Sequence, residues 1–93
     1  MKIKVKFYAD FKKMFFEEQD IELGDRAKIK DLLAQVCDTD ERRKEILDSS
    51  GKVKPSVVVV LKRDFEDSKV VDSEYAEFKD GDVVMVLRAV FGG

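Results

Sequence analysis

Lys79-Asp80-Gly81-Asp82-Val83-Val84-Met85-Val86-Leu87-Arg88 reads as a tight turn that launches a strand. Asp-Gly is a strong turn signal, because glycine accepts the positive φ that such turns need and aspartate bonds its own local backbone. The strand that follows is apolar on both faces, which suits a position inside a sheet more than one at its edge. Ala89-Val90-Phe91-Gly92-Gly93 comes next, with no helix or loop signal in between. Whatever this strand packs against therefore also aims the Gly-Gly end. Two glycines without Cβ atoms fit extended into a slot too narrow for any side chain, and chance gives a terminal Gly-Gly in only roughly 0.5% of chains.

Upstream, Val57-Val58-Val59-Val60-Leu61 is a second strand apolar on both faces, entered after Pro55. Lys2-Ile3-Lys4-Val5-Lys6-Phe7 alternates without a break, with Ile3, Val5 and Phe7 on one face and three lysines on the other. That is the pattern of a strand with one buried and one wet face. From Glu18 to Leu23 the period of two returns, Ile21 and Leu23 inward, Asp20 and Glu22 outward, and Gly24-Asp25 ends it. Lysines on one strand and acids on the other are expected to pair across the sheet. Between them, Asp10-Phe11-Lys12-Lys13-Met14-Phe15-Phe16 breaks the alternation and reads as a loop or short helical turn whose aromatics cover the core's edge.

Ile29, Leu32, Leu33, Val36 and Cys37 fall at i, i+3, i+4, i+7 and i+8, the apolar stripe of a helix lying on the sheet. Cys37 sits on that stripe and is expected to be buried as a small hydrophobe, not presented as a nucleophile. Asp38 and Glu41 have capping-box spacing for a second short helix to about Asp48, anchored by Ile46 and Leu47. Lys62 to Ser68 is polar with Phe65 alone as an anchor, Val70-Val71 is expected as a short edge strand, and Tyr75 to Phe78 as another turn.

A chain of 93 residues, about a third of them Val, Ile, Leu or Phe, forms one domain with a modest core. Charged residues make up 41%, with 18 Lys+Arg against 20 Asp+Glu and a net charge of −2. Such a balanced surface gives no reason to expect nucleic acid or membrane as partner. One cysteine and no histidine exclude internal disulfides, the common zinc constellations and catalysis by imidazole. With no signal-peptide pattern and no apolar run of membrane length, the expected setting is cytoplasmic.

The order strand, strand, helix, short helix, strand, weak strand, strand packs most economically as a mixed four- or five-stranded sheet with one main helix across one face. A right-handed crossover from the second strand through the helix restricts the topology further. The expected fold is α+β, a ubiquitin-like β-grasp over residues 1–88, with 89–93 as an extended tail.

Over essentially its whole length the chain resembles the MoaD/ThiS family of β-grasp sulfur carriers, and within it most the small subunit of molybdopterin synthase. Val5-Lys6-Phe7-Tyr8-Ala9-Asp10-Phe11-Lys12 is similar to the family's first strand and its following "phenylalanine, alanine, any residue, leucine, arginine" stretch. Ile29-Lys30-Asp31-Leu32-Leu33 resembles the helix start, Lys79-Asp80-Gly81-Asp82-Val83-Val84 the last turn and strand, and Gly92-Gly93 the terminal pair. Three departures stand out: Lys28 where the family caps its helix with Thr or Ser, Arg88-Ala89 where synthase subunits carry prolines, and a longer stretch from Lys62 to Lys69.

The resemblance implies that Gly93, with Gly92 before it, is the reacting residue. An E1-like adenylating enzyme would use ATP to form an acyl-adenylate on its carboxyl. Sulfur from a desulfurase or rhodanese-type protein would then displace AMP and leave a thiocarboxylate. In a molybdopterin synthase this group enters the large subunit and donates sulfur toward the molybdenum or tungsten cofactor; in thiamine synthesis it feeds thiazole formation. In a ubiquitin-like modifier a lysine attacks the same adenylate, and a β-grasp interaction module without chemistry is the remaining alternative. As a carrier the chain is a cosubstrate, not catalytic alone, with no cofactor bound. The family's pattern turns Val84 and Val86 toward the helix and leaves Val83, Met85 and Leu87 as an apolar stripe on the other face. That stripe either docks a partner or is covered by the chain's own loops, and Phe91 is an expected anchor in a partner's channel.

Overall fold

Ile3, Val5 and Phe7 are buried while the lysines between them reach the surface, so strand β1 (Lys2–Phe7) separates core from solvent as its alternation requires. This arrangement comes from a computed structural model, which describes residues 1–89. After β1 come a single helical turn α1 (Phe11–Met14), β2 (Glu18–Glu22), the main helix α2 (Ile29–Val36), a short helix α3 (Asp40–Ile46), β3 (Val57–Lys62), a two-residue β4 (Lys69–Val70) and β5 (Val83–Arg88). The five strands make one mixed sheet in the order β2-β1-β5-β3-β4. β1 and β5 run parallel in its middle, and every other pairing is antiparallel. This is the β-grasp architecture.

One face of the sheet meets the helices. Ile29, Leu32, Leu33 and Val36 of α2, with Cys37 at its end, pack on Val5, Val59, Leu61, Val84 and Val86 in a single core that also takes in Phe11 and Ile46. Phe7 stacks on Phe15 with ring centroids 4.4 Å apart and meets Phe16 edge-on at 4.9 Å, so the aromatics around α1 do close the core's edge. Lys28 has no side-chain acceptor to offer the helix, and the Asp31 carboxylate instead accepts the Lys28 N–H at 2.8 Å, half of a capping box. Lys4 and Lys6 both reach Glu18 across the sheet, at 3.8 and 3.5 Å.

Three expectations are corrected. The cap of α3 is Thr39, whose Oγ1 accepts the Arg42 N–H at 3.1 Å. Asp38 spends its carboxylate on the Arg42 guanidinium at 2.6 Å instead, and that hydrogen bond holds its carboxyl below the usual carboxylate range. The edge strand is Lys69–Val70, one residue earlier than expected, although Val71 still donates to the Val59 carbonyl at 2.8 Å. Phe65 anchors nothing. It sits at φ 64 in a turn closed by Glu66 N–H on the Arg63 carbonyl, and its ring is fully exposed.

What fastens that loop is Arg63. Its Nε lies 3.2 and 3.1 Å from the two carboxylate oxygens of Asp82, the one charged side chain buried among the described residues, and one terminal nitrogen, Nη2, donates to the Glu77 carbonyl at 3.0 Å. Removing the guanidinium leaves a buried carboxylate short of donors, a loss of about 2–3 kcal/mol. Breaking the exposed Lys6–Glu18 pair costs no more than about 0.5 kcal/mol. Urea denaturation of Arg63→Ala and Glu18→Gln is expected to show that ordering, with the first variant clearly weakened and the second close to wild type.

Candidate functional site

β5 lies between β1 and β3, so its outward side chains have a strand on either side. Val84 and Val86 point into the core, at 0% and 1% exposure. Val83, Met85 and Leu87 alternate with them on the outer face and are half-buried. The register continues the stripe sideways, since Val60 stands beside Met85, Val58 beside Leu87, and Val70 on the far side of Val60. Val70 is the most open of these, at 66% exposure. On the other flank Lys4 and Lys6 stand beside Val83 and Met85. The sheet's outer face thus carries an apolar centre three strands wide, with lysines along one side. The three stripe residues expected from the sequence are brought together, and Val58, Val60 and Val70 join them. The unbroken apolar run of Val57 to Leu61 already implied an apolar outer side for that strand, but only the register shows which residues meet.

The strand's exit is held at two points. Arg88 makes a forked contact with Asp10, Nε to both carboxylate oxygens at 2.8 and 2.9 Å and a terminal nitrogen at 2.7 Å, and the same terminal nitrogen also contacts Glu45. Its guanidinium lies over the Phe11 ring, 4.3 Å from the centroid. These bonds hold the Asp10 carboxyl below its ordinary range and push the Arg88 pKa up. A lowered carboxylate pKa means that the pair is complete throughout neutral pH and is lost only as the pH falls through the depressed value. On the backbone side, Ala89 donates its N–H to the Ser56 carbonyl at 2.8 Å. Nothing in the sequence marks Asp10 and Glu45 as partners of Arg88; the sequence offers only the departure of Arg88-Ala89 from the prolines of molybdopterin synthase subunits.

Phe91, Gly92 and Gly93, expected to be the partner anchor and the reacting pair, lie outside the described residues. Among those described, no group of three His, Cys, Asp or Glu side chains is placed to hold a metal ion, and no helix is long and apolar enough to cross a membrane.

No protein-family model and no curated relative matches the sequence. Solved structures do. SAMP1 from Haloferax volcanii superposes with a TM-score of 0.80 at 14% identity over 100% of both chains. The HVO 2177 protein of the same organism gives 0.76 at 26% identity, over 100% of this chain and 87% of the other. Molybdopterin-converting factor from Helicobacter pylori, solved as a complex of its subunits 1 and 2, gives 0.65 at 25% identity over 100% of both chains. The chain therefore has the β-grasp fold of MoaD/ThiS-like and ubiquitin-like proteins.

Cys37 is the chain's one thiol. It is buried at the end of α2, and burial pushes its pKa up to about 11. At pH 8 the nucleophilic thiolate is then a minute fraction of the total. Reaction with a disulfide reagent at that pH is expected to run at least about a hundredfold slower in the native protein than after denaturation, and equal rates would show that Cys37 is accessible.

Proposed function

We propose that this chain is a sulfur carrier acting in molybdopterin synthesis, with Gly93 as the residue that is adenylated and converted to a thiocarboxylate. The observation that carries the reading is β5. A strand with the core on one face and an apolar stripe on the other ends in a fixed Arg88-Ala89, four residues before the sequence closes on Gly92-Gly93. The likeness to a molybdopterin-converting factor structure at 25% identity supports the choice of pathway.

A carboxylate is a poor electrophile at pH 7, so it has to be activated before sulfur can be attached. ATP and an E1-like adenylating enzyme supply that activation, the carboxylate displacing pyrophosphate from the α-phosphate; a persulfide sulfur from a desulfurase or rhodanese-type protein then expels AMP, and a thiol cleaves the resulting acyl disulfide to leave the thiocarboxylate. None of these steps asks this chain for a general base or an oxyanion hole. That agrees with a sequence without histidine and with a buried, protonated Cys37. The thiocarboxylate would be used in the large subunit of molybdopterin synthase. Val83, Met85 and Leu87 are the docking stripe for that subunit, extended by Val58 and Val60, and Phe91 is the anchor nearest the reacting end. A stripe of this kind desolvates well while its lysine flank sets orientation.

A second reading is favoured by the likeness to SAMP1, described as small archaeal modifier protein 1, at TM-scores of 0.80 and 0.74. In a modifier the adenylate is attacked by a lysine of another protein, leaving Gly93 in an isopeptide bond. Gly-Gly remnants on cellular lysines would favour that outcome over sulfur transfer.

Incubation with ATP, the adenylating enzyme and a sulfur source is expected to raise the intact mass by about 16 Da, oxygen replaced by sulfur, and one residue added after Gly93 is expected to abolish the gain. Met85→Asp should fold normally, since its side chain lies outside the core, yet bind the large subunit at least about tenfold more weakly. Calorimetry giving wild-type affinity would remove the stripe from the interface.

A further inference from the structure

We infer that Arg88 is a positioning residue, which fixes the point and direction from which the reacting end of the chain departs. The inference rests on the carrier reading, in which Gly93 must reach another protein's active site.

The geometry around Arg88 exceeds what holding the fold requires. Its side chain is about one-third exposed, at 36%, and Asp10 is 60% exposed, so the pair contributes little to stability. Yet four groups converge on this one side chain or on the residue after it. Asp10 grips the guanidinium as a fork, Glu45 takes its outer nitrogen, the Phe11 ring lies under its plane, and Ser56 holds the next N–H. They come from the start of α1, from α3, and from the residue before β3. The fork-to-carboxylate contact and the stacked ring both fix the guanidinium plane, which lysine's single ammonium does not do. The backbone that presents Asp10 is itself held in an unusual state, with Ala9 at φ 56. Left-handed backbone is disfavoured for a residue with a Cβ and persists where surrounding contacts enforce it.

The consequence is a matter of length. Four residues follow Ala89, and at no more than about 3.6 Å each they span at most about 14 Å. With Arg88 and Ala89 held, the carboxyl of the carrier reading lies four residues from a fixed point. Releasing them moves the nearest fixed point back by two residues and unfixes the direction of departure. Effective concentration at a target falls when a tether's origin and direction are lost.

The test uses the full chain and its adenylating enzyme. In Arg88→Ala, kcat/KM for ATP-dependent pyrophosphate release is expected to fall about tenfold or more, with the Kd for the enzyme in the absence of ATP unchanged. Arg88→Lys should lie between the two, because it keeps the charge and loses the fork. Amide exchange supplies a readout independent of activity: Ala89 should exchange faster in Arg88→Ala, while Val84 and Val86 keep wild-type protection. A wild-type rate in Arg88→Ala overturns the inference. So does a rate loss accompanied by equal loss of protection at Val84 and Val86, which would make Arg88 a residue of general stability. If wild-type protein is not adenylated at all, the carrier reading fails instead, and Ala89 exchange still decides whether Arg88 fixes the exit.

Discussion

A single buried carboxylate sets the middle of this sheet. Asp82 is 2% exposed and stands where the last turn becomes β5. Its carboxylate takes the Lys79 N–H at 2.8 Å and the Arg63 guanidinium, while its backbone carbonyl takes the Lys4 N–H at 3.0 Å. Turn, loop and first strand therefore meet on one residue. Gly81, at φ 86, makes the turn possible and bonds back to the Lys2 carbonyl at 2.9 Å. β1 and β5 are parallel neighbours far apart in sequence, and no hairpin turn sets their register. A slip of one residue would bring Val83 and Met85 inward and expel Val84 and Val86. A buried ion pair adds little net stability over an apolar replacement, but unpaired it is costly, so any register that breaks it is disfavoured. Here the pair joins the end of β3 to the start of β5 and so favours the observed pairing of those two strands.

Once that register is set, the two faces of β5 have different employments. The inner face is consumed by the core. The outer face is aligned with β3 so that Met85 meets Val60 and Leu87 meets Val58, giving apolar surface where the β1 and β2 side of the sheet is charged. A β-grasp sheet has helices on one face only, so this apolar centre is not required by the fold's own packing. That is why the docking proposal rests on it.

Much of this was legible because it is periodic. The alternation in Lys2 to Phe7 and the helical spacing from Ile29 to Cys37 each encode a face, and the faces are where the residues placed them. What the sequence left hidden depends on partners distant along the chain. Arg88 and Asp10 are 78 positions apart, and Arg63 and Asp82 are 19 apart; nothing local marks either pair. Phe65 misleads for a related reason. An aromatic in a polar stretch looks like an anchor until the loop's fastening is known to come from Arg63, which leaves the ring free to point outward. Asp38 likewise has the right chemistry for a cap, but Arg42 claims its carboxylate and Thr39 is one residue nearer to the helix.

Arg63 with Asp82 and Arg88 with Asp10 sit at opposite ends of the same strand. At the entrance the acid belongs to the turn into β5 and is buried; at the exit the arginine belongs to the strand and is about one-third exposed, on an acid that is mostly exposed. The difference in burial matches a difference in task. A buried pair constrains how the core assembles, because breaking it leaves a charge in apolar surroundings. An exposed pair contributes little to assembly, but a forked guanidinium stacked on a ring still fixes direction. In the carrier reading the reacting group is the carboxyl of Gly93, and neither an imidazole nor the buried Cys37 thiol takes part. For such a protein, delivering that group to the right place is the whole of its contribution, and a strand pinned at both ends is a physical means of doing so.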